Sequence, residues 1–152
     1  KLNCEPALVL AGTGPYLPQV QEAVKTHPRI QYAGFIKSID EMARRYASAD
    51  MGLALSGWET FGLSILESMA CGNAQIGANT GAAAEHVRES GAGVILEVRT
   101  AEALAEAIIK LYQSDLSQKK VNARCYAEKF SWNDCFKRQL DLYKEISQQK
   151  RK

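Results

Sequence analysis

The sequence predicts an α/β fold, a doubly wound parallel sheet covered by helices on both faces. Short apolar runs alternate with amphipathic stretches along the chain, and those runs are apolar at successive positions, not at every second one. A strand buried on both faces needs that pattern, and helices between such strands are what parallel pairing requires.

The elements follow in order. PALVLAG (6–12) is a β-type run closed by GTGP, TGPYLPQVQEAVK then turns helical, and IQYAGF (30–35) is the next strand. SIDEMARRYASA (38–49) places Ser38 as an N-cap three residues before Glu41, a capping box, ahead of apolar spacing at Ile39, Met42, Ala43 and Tyr46. MGLAL (51–55) is a strand, followed by a helix that begins near Phe61. AQIGA (74–78) is a strand, GAAAEHV a short helix, and AGVIL (92–96) the last strand. Helices from about Ala101 to Tyr112, Asp115 to Lys129 and Trp132 to Ser147 close the chain.

Bulk properties bound the function. A chain of 152 residues, 46% hydrophobic, has the length of one domain and enough apolar mass for a core. No run approaches the roughly 18 to 20 apolar residues that span a bilayer, and KLNCEPALVL has no export-signal pattern. Cys4, Cys71, Cys125 and Cys135 are scattered, and His27 and His86 stand far apart, so the reading is reduced, cytoplasmic and without a metal or other cofactor. The start at Lys1 reads as a piece of something longer. Net charge is +2, but Ser117 to Lys152 holds ten Lys and Arg against four acids. That basic end is either a solvated helix face or a contact for an anionic membrane surface. Interleaved acids and the lack of a base-stacking platform argue against nucleic acid.

In such sheets ligands lie beyond the carboxyl ends of the strands. Three loops qualify: 12–15, 56–61 and 78–82. GTG at 12–14 fails as a dinucleotide fingerprint, because position 17 is Leu and no acid ends the following strand. ETFGLSILE (59–67) carries more. With a helix starting near Phe61, the amides of Phe61, Gly62 and Leu63 would form an anion site, and Gly62 would let a phosphate approach. Glu59 and Glu67 would stand about 12 Å apart along the axis at about 1.5 Å per residue, close to the span from the sugar of a sugar nucleotide to its ribose. The alternative is an amphipathic helix with Glu59 complementing the dipole and Glu67 on a wet face. Ser64 and Cys71 read as packing residues, and His86 as a helix-surface residue.

LVLAGTGPYL, YAGFI, ADMGLALSGWETFGLSILESMACGNAQIGANTGAAAEHV, GVILEV and FSW together resemble the group 1 (family 4) retaining glycosyltransferases of GT-B architecture. The likeness runs from about Ala7 to Tyr143 and concerns the C-terminal, donor-binding domain. It implies a Rossmann-like domain over 1–152, with 131–152 as a C-terminal helix and basic tail. It implies Glu59 at the donor sugar near the reacting carbon, as the catalytic glutamate, and Glu67 at the ribose. Phe61, Gly62 and Leu63 would face sugar and diphosphate, Ile36 and Lys37 would line the base pocket, and Gly14 and Gly81 would belong to the loops around the donor.

The chain departs from the family pattern at Thr60 and Ala82, where glycines are usual. The family's opening strand, with an Arg and a Lys that grip the diphosphate, is not supplied before Lys1, so a gap is expected between the strands at 7–12 and 51–55. The implied activity is retaining, metal-independent transfer of a sugar from a nucleoside diphosphate to an acceptor hydroxyl in glycan biosynthesis. The acceptor, a glycan or a lipid-linked one, would be held by an N-terminal domain, and this chain alone would be inactive. A sugar-nucleotide epimerase and a non-catalytic interaction module remain as alternatives. Trp132, Phe136, Leu140 and Tyr143 fall at helical spacing; in the family the last helix reaches toward the partner domain, so part of this stripe is expected to be exposed and to promote self-association.

Overall fold

The computed structural model describes residues 5–149. Strands and helices alternate as β1 (Leu8–Leu10), α1 (Leu17–Thr26), β2 (Ile30–Tyr32), α2 (Ile39–Ala47), β3 (Met51–Ala54), α3 (Leu63–Ala70), β4 (Ala74–Ala78), α4 (Gly81–Ser90) and β5 (Gly93–Leu96). Helices α5 (Ala101–Gln113) and α6 (Leu116–Ala127) follow; a single 3-10 turn, Glu128–Phe130, leads into α7 (Trp132–Gln149).

All pairing is parallel, but it forms two sheets. β1 pairs with β2, Leu8 opposite Ile30, and β3–β4–β5 form a separate sheet with Met51 opposite Ala74 and Gln75 opposite Gly93. No ladder joins β1 to β3, so a gap lies where one was expected. The first two strands are also shorter than the apolar runs 6–12 and 30–35, because each has a partner on one side only. Val9 is 49% exposed, so β1 is not covered on both faces.

β4 is the centre of the larger sheet, and all five of its residues are buried. Ala74 and Ile76 pack with Leu96, Ala107 and Leu111 under α5. On the other face Ile65, Leu66 and Met69 of α3 meet Ala83, Ala123 and Tyr126. Burying a side chain of Met69's size contributes about 1.5 to 3 kcal/mol. Gln75 lies between β4 and α3, and its amide donates to Ser68 Oγ at 2.9 Å and to the Asn73 carbonyl at 3.0 Å. Those bonds offset the cost of burying an amide.

Helix starts follow local chemistry. Ser38 Oγ accepts from the Glu41 amide (3.3 Å), as the capping box predicts; Thr100 Oγ1 and Asp115 Oδ1 cap α5 and α6 the same way. None of the residues of α7 is buried, and its ordered neighbour is the 3-10 turn before it. Trp132, Phe136, Leu140 and Tyr143 are each more than half exposed. Among the described residues no helix is long and apolar enough to cross a membrane. Cys4 and the basic end of the tail, 150–152, lie outside the described residues.

Candidate functional site

The loop between β3 and α3 builds the site. β3 ends at Ala54, and α3 starts at Leu63, two residues later than the sequence predicts. The delay has a local cause: Gly62 takes a left-handed conformation (φ 76°, ψ 48°) and ends the loop as the residue before the helix. Its amide is not open to a phosphate. It donates to Glu59 Oε1 at 3.0 Å, and Gly62 is buried. Of the amides expected to form an anion site, those of Phe61, Gly62 and Leu63, the Gly62 amide is thereby engaged within the loop. The Gly62 carbonyl accepts from Ile65 and Leu66, which leaves the amides of Leu63 and Ser64, both on exposed residues, at the mouth of the helix.

Glu59 is half-buried and lines a cleft of about 170 Å³ at the carboxyl end of β3. Tyr46, Gly52, Ser56, Ser64 and Ser68 are among its neighbours there, so Ser64 faces open space and not the core. The Glu59 backbone is fixed from the far side. Its carbonyl accepts from the Ala82 amide at 3.1 Å, and any Cβ on Gly81 (φ 54°) would collide with that same oxygen. Gly81 therefore serves close approach between two loops. Ala82, where the family usually has a second glycine, is buried without strain.

Glu67 is exposed on α3, just over one turn from its start. It approaches the half-buried Tyr46, whose phenol is pushed above the ordinary range by burial first and then by the charges of Glu67 and Cys71. Phe61 and Leu63 are exposed at the rim. Gly14, Ile36 and Lys37 sit with the two-stranded sheet. Gly14 lines a different, apolar cavity of about 320 Å³ with Leu10, Gly12, Tyr16 and Tyr32. The loops after β1 and β2 are joined there by the Gly12 amide on the Gly34 carbonyl (2.8 Å) and the Tyr32 hydroxyl on the Gly12 carbonyl (2.7 Å). Ile36 is half-buried and Lys37 exposed. The structure thus gathers Glu59, Phe61, Gly62, Leu63 and Gly81 around one loop pair, and holds Gly14 in a second cavity.

The loop pair lies within a segment that matches a known family. Residues 2–114 fit the family described as glycosyl transferases, group 1. The chain belongs to the group 1 glycosyltransferases. It is 35% identical over 125 residues to a GDP-mannose-dependent alpha-(1-6)-phosphatidylinositol dimannoside mannosyltransferase of Mycobacterium tuberculosis, covering 82% of this chain and 32% of the relative. With an N-acetyl-alpha-D-glucosaminyl L-malate synthase of Bacillus anthracis it shares 31% over 117 residues, covering 77% and 31%. This group 1 chain therefore spans about a third of the length of these relatives. The pneumococcal O-GlcNAc transferase GtfA, solved with UDP and GlcNAc, superposes with a TM-score of 0.77 at 21% identity over 92% of this chain and 29% of that one. Sucrose-phosphate synthase from Thermosynechococcus elongatus gives 0.74 at 24% identity, covering 91% and 38%. Both show the fold, that of the C-terminal domain of GT-B glycosyltransferases.

In this glycosyltransferase chain one part of the site escaped the sequence reading. His86 is not on the helix surface; it is 4% exposed. Its Nε2 lies 2.6 Å from the Phe61 carbonyl and its Nδ1 3.1 Å from the Tyr126 hydroxyl, which donates to Glu89 Oε2 at 2.8 Å. Phe61, His86, Tyr126 and Phe130 form an edge-to-face cluster with centroids 5.0 to 6.2 Å apart. A signal was available: Ala82, Ala83, His86 and Val87 share the i, i+3, i+4 face of α4 that packs on β4.

Proposed function

We propose that this chain is the donor-binding part of a retaining, metal-independent glycosyltransferase that takes its sugar from a nucleoside diphosphate. The observation that carries the reading is the Glu59 carboxylate, held on the Gly62 amide at the edge of a cleft beyond a strand end, next to two helix-mouth amides. The carboxylate accepts hydrogen bonds from donor-sugar hydroxyls and stabilises positive charge that develops at the anomeric carbon. As the acceptor hydroxyl attacks that carbon, the bond to the diphosphate oxygen breaks, the diphosphate leaves with the electron pair, and its departing oxygen takes the hydroxyl proton. The Leu63 and Ser64 amides and the positive end of α3 favour that charge. Glu67 holds the ribose, and Gly14, Ile36 and Lys37 border the nucleotide on the side of the smaller sheet. A preceding domain supplies the glycan or lipid-linked acceptor and the remaining positive charge, so residues 1–152 form one binding domain that does not turn over alone. The setting is cytoplasmic, at the membrane surface where a lipid-linked acceptor is reached.

Calorimetric titration of the full-length protein with UDP-glucose and GDP-mannose, in the presence of a chelator, tests the reading. A dissociation constant of millimolar or tighter for one of them is expected, with binding unchanged by the chelator. No binding of either, or complete dependence on a divalent ion, overturns it.

A further inference from the structure

The hydrogen bonds around His86 fix where protons must be. A carbonyl only accepts, so Nε2, 2.6 Å from the Phe61 oxygen, carries a hydrogen. Tyr126 has one hydroxyl proton, and Glu89 takes it at 2.8 Å. The phenol therefore presents a lone pair to Nδ1 at 3.1 Å, and Nδ1 must carry a hydrogen too. All three bonds coexist only when His86 is the doubly protonated imidazolium. A neutral ring keeps Phe61, but Tyr126 must then turn its proton to Nδ1 and release Glu89.

Charged groups stand on several sides of the ring. Glu89 faces it through Tyr126, and Glu85 on the same helix acts on that phenol. From the loop, Glu59 Cγ and His86 Cδ2 each lie 3.4 Å from the point a Cβ on Gly62 would occupy. Opposing them is Lys129, whose ammonium stands 5.6 Å from the centre of the Tyr126 ring; Arg88 of α4 is turned to Asn79. Burial and Glu89 both hold the proton on Tyr126.

The Phe61–Gly62 peptide is the connection to the site. Its oxygen is bound by His86 and its N–H is donated to Glu59 Oε1. We propose that His86, as an imidazolium held by the Tyr126–Glu89 pair, is a positioning residue for Glu59: it clamps this peptide so that the carboxylate keeps its orientation at the cleft. A charged donor on the carbonyl polarises the peptide and strengthens the N–H as a donor to Glu59. The step from clamp to sugar rests on the donor-site reading of Glu59 above; the protonation of His86 does not.

Two measurements on the full-length protein test this. Long-range proton–nitrogen NMR, with His86→Gln assigning the signal among the protein's histidines, should show both His86 nitrogens protonated, and the Gly62 amide shift should move in His86→Gln. In Tyr126→Phe the Nδ1 proton should be lost. A single neutral tautomer in the wild type, or a Gly62 amide indifferent to His86, overturns the clamp. Calorimetry with UDP-glucose, GDP-mannose and their parent diphosphates then reads the link to Glu59. Asn at position 86 cannot reach the Phe61 carbonyl and Gln can, so His86→Asn should weaken the bound sugar nucleotide about five- to tenfold and His86→Gln about twofold or less. The parent diphosphate should be spared in both. Equal losses for sugar nucleotide and diphosphate, or indistinguishable variants, overturn the positioning role. If the wild type binds no sugar nucleotide, the donor-site reading falls, and the His86 nitrogen and Gly62 amide signals alone uphold or overturn the clamp.

Discussion

Glu59 and His86 hold opposite edges of one peptide plane: the carboxylate accepts its N–H at 3.0 Å and the imidazole Nε2 meets its oxygen at 2.6 Å. Glu59 therefore has a structural bond as well as an open face, and substitutions there must separate the two. Glu59→Gln retains an oxygen for the Gly62 amide, so stability should change by less than about 0.5 kcal/mol while affinity for an intact sugar nucleotide falls. Glu59→Ala removes the acceptor of a buried amide and should cost about 1 to 3 kcal/mol of stability. Urea unfolding alongside calorimetry distinguishes the variants.

Glu67→Gln should act on a different part of the ligand. The expected outcome is a loss on the order of 1 to 3 kcal/mol in binding of the nucleoside diphosphate itself, with folding unaffected because the side chain is exposed. Glu59→Gln should leave that same diphosphate untouched. Equal affinities across both variants and both ligands would retire the assignment of sugar and ribose to the two glutamates.

Gly81→Ala should be among the most damaging single-methyl additions in the chain. The residue has φ 54°, and its new Cβ would meet the Glu59 carbonyl. Backbone strain of about 1 to 3 kcal/mol is expected, with further loss if the two loops separate. A lowered urea midpoint with unchanged slope would confirm the cost.

Tyr126→Phe should change the alkaline limb of the stability curve. Burial, then the hydrogen bond to Glu89 and the charges of Glu89 and Glu85, raise the phenol above the usual tyrosine value. A raised folded-state pKa means this contribution is intact below the unfolded value of about 10 and is lost as pH climbs through the folded one. Wild-type stability should therefore fall above about pH 10 more steeply than that of Tyr126→Phe, with a residual slope in the variant from Tyr46. At neutral pH the variant should be about 1 to 2 kcal/mol weaker for its lost hydrogen bonds.

Helix α7 offers Phe136, Leu140 and Tyr143 to solvent, with Trp132 stacked on Phe136 at 5.7 Å. Sedimentation of the 152-residue chain should show concentration-dependent self-association. Phe136→Glu together with Leu140→Glu should return it to a monomer, whereas a monomeric wild type would leave the stripe without a role in association.

The alternation of elements was legible because uniformly apolar runs such as AQIGA have one stable environment, a strand covered on both faces, and β4 is buried throughout. The break between the two sheets was legible too, because in the family that the chain resembles another strand lies between the counterparts of β1 and β3. The start of α3 was not: Gly62 can enter a helix or adopt φ above zero, and only the Glu59 carboxylate and the packing of His86 decide between them. The role of Gly81 was hidden for the same reason, since the backbone it approaches is 22 residues away in sequence. His86 was misassigned because a lone helical histidine was weighed by residue type and not by the face it shares with Ala82, Ala83 and Val87.

The missing ladder between β1 and β3 divides the molecule's resistance to opening. Three-residue strands paired on one side carry few backbone bonds, while β4 is locked between two neighbours and two apolar layers. Under native conditions the amides of Leu10 and Tyr32 should exchange with deuterium through a local opening that leaves Ile76 and Ala78 protected, two cooperative units with separate free energies. The loops that border the larger cavity belong to the looser unit, and Glu59 to the tighter one. A ligand that spans both would lend protection to the first without changing the second, so the exchange rate at β1 and β2 becomes a gauge of occupancy that needs no assay of turnover.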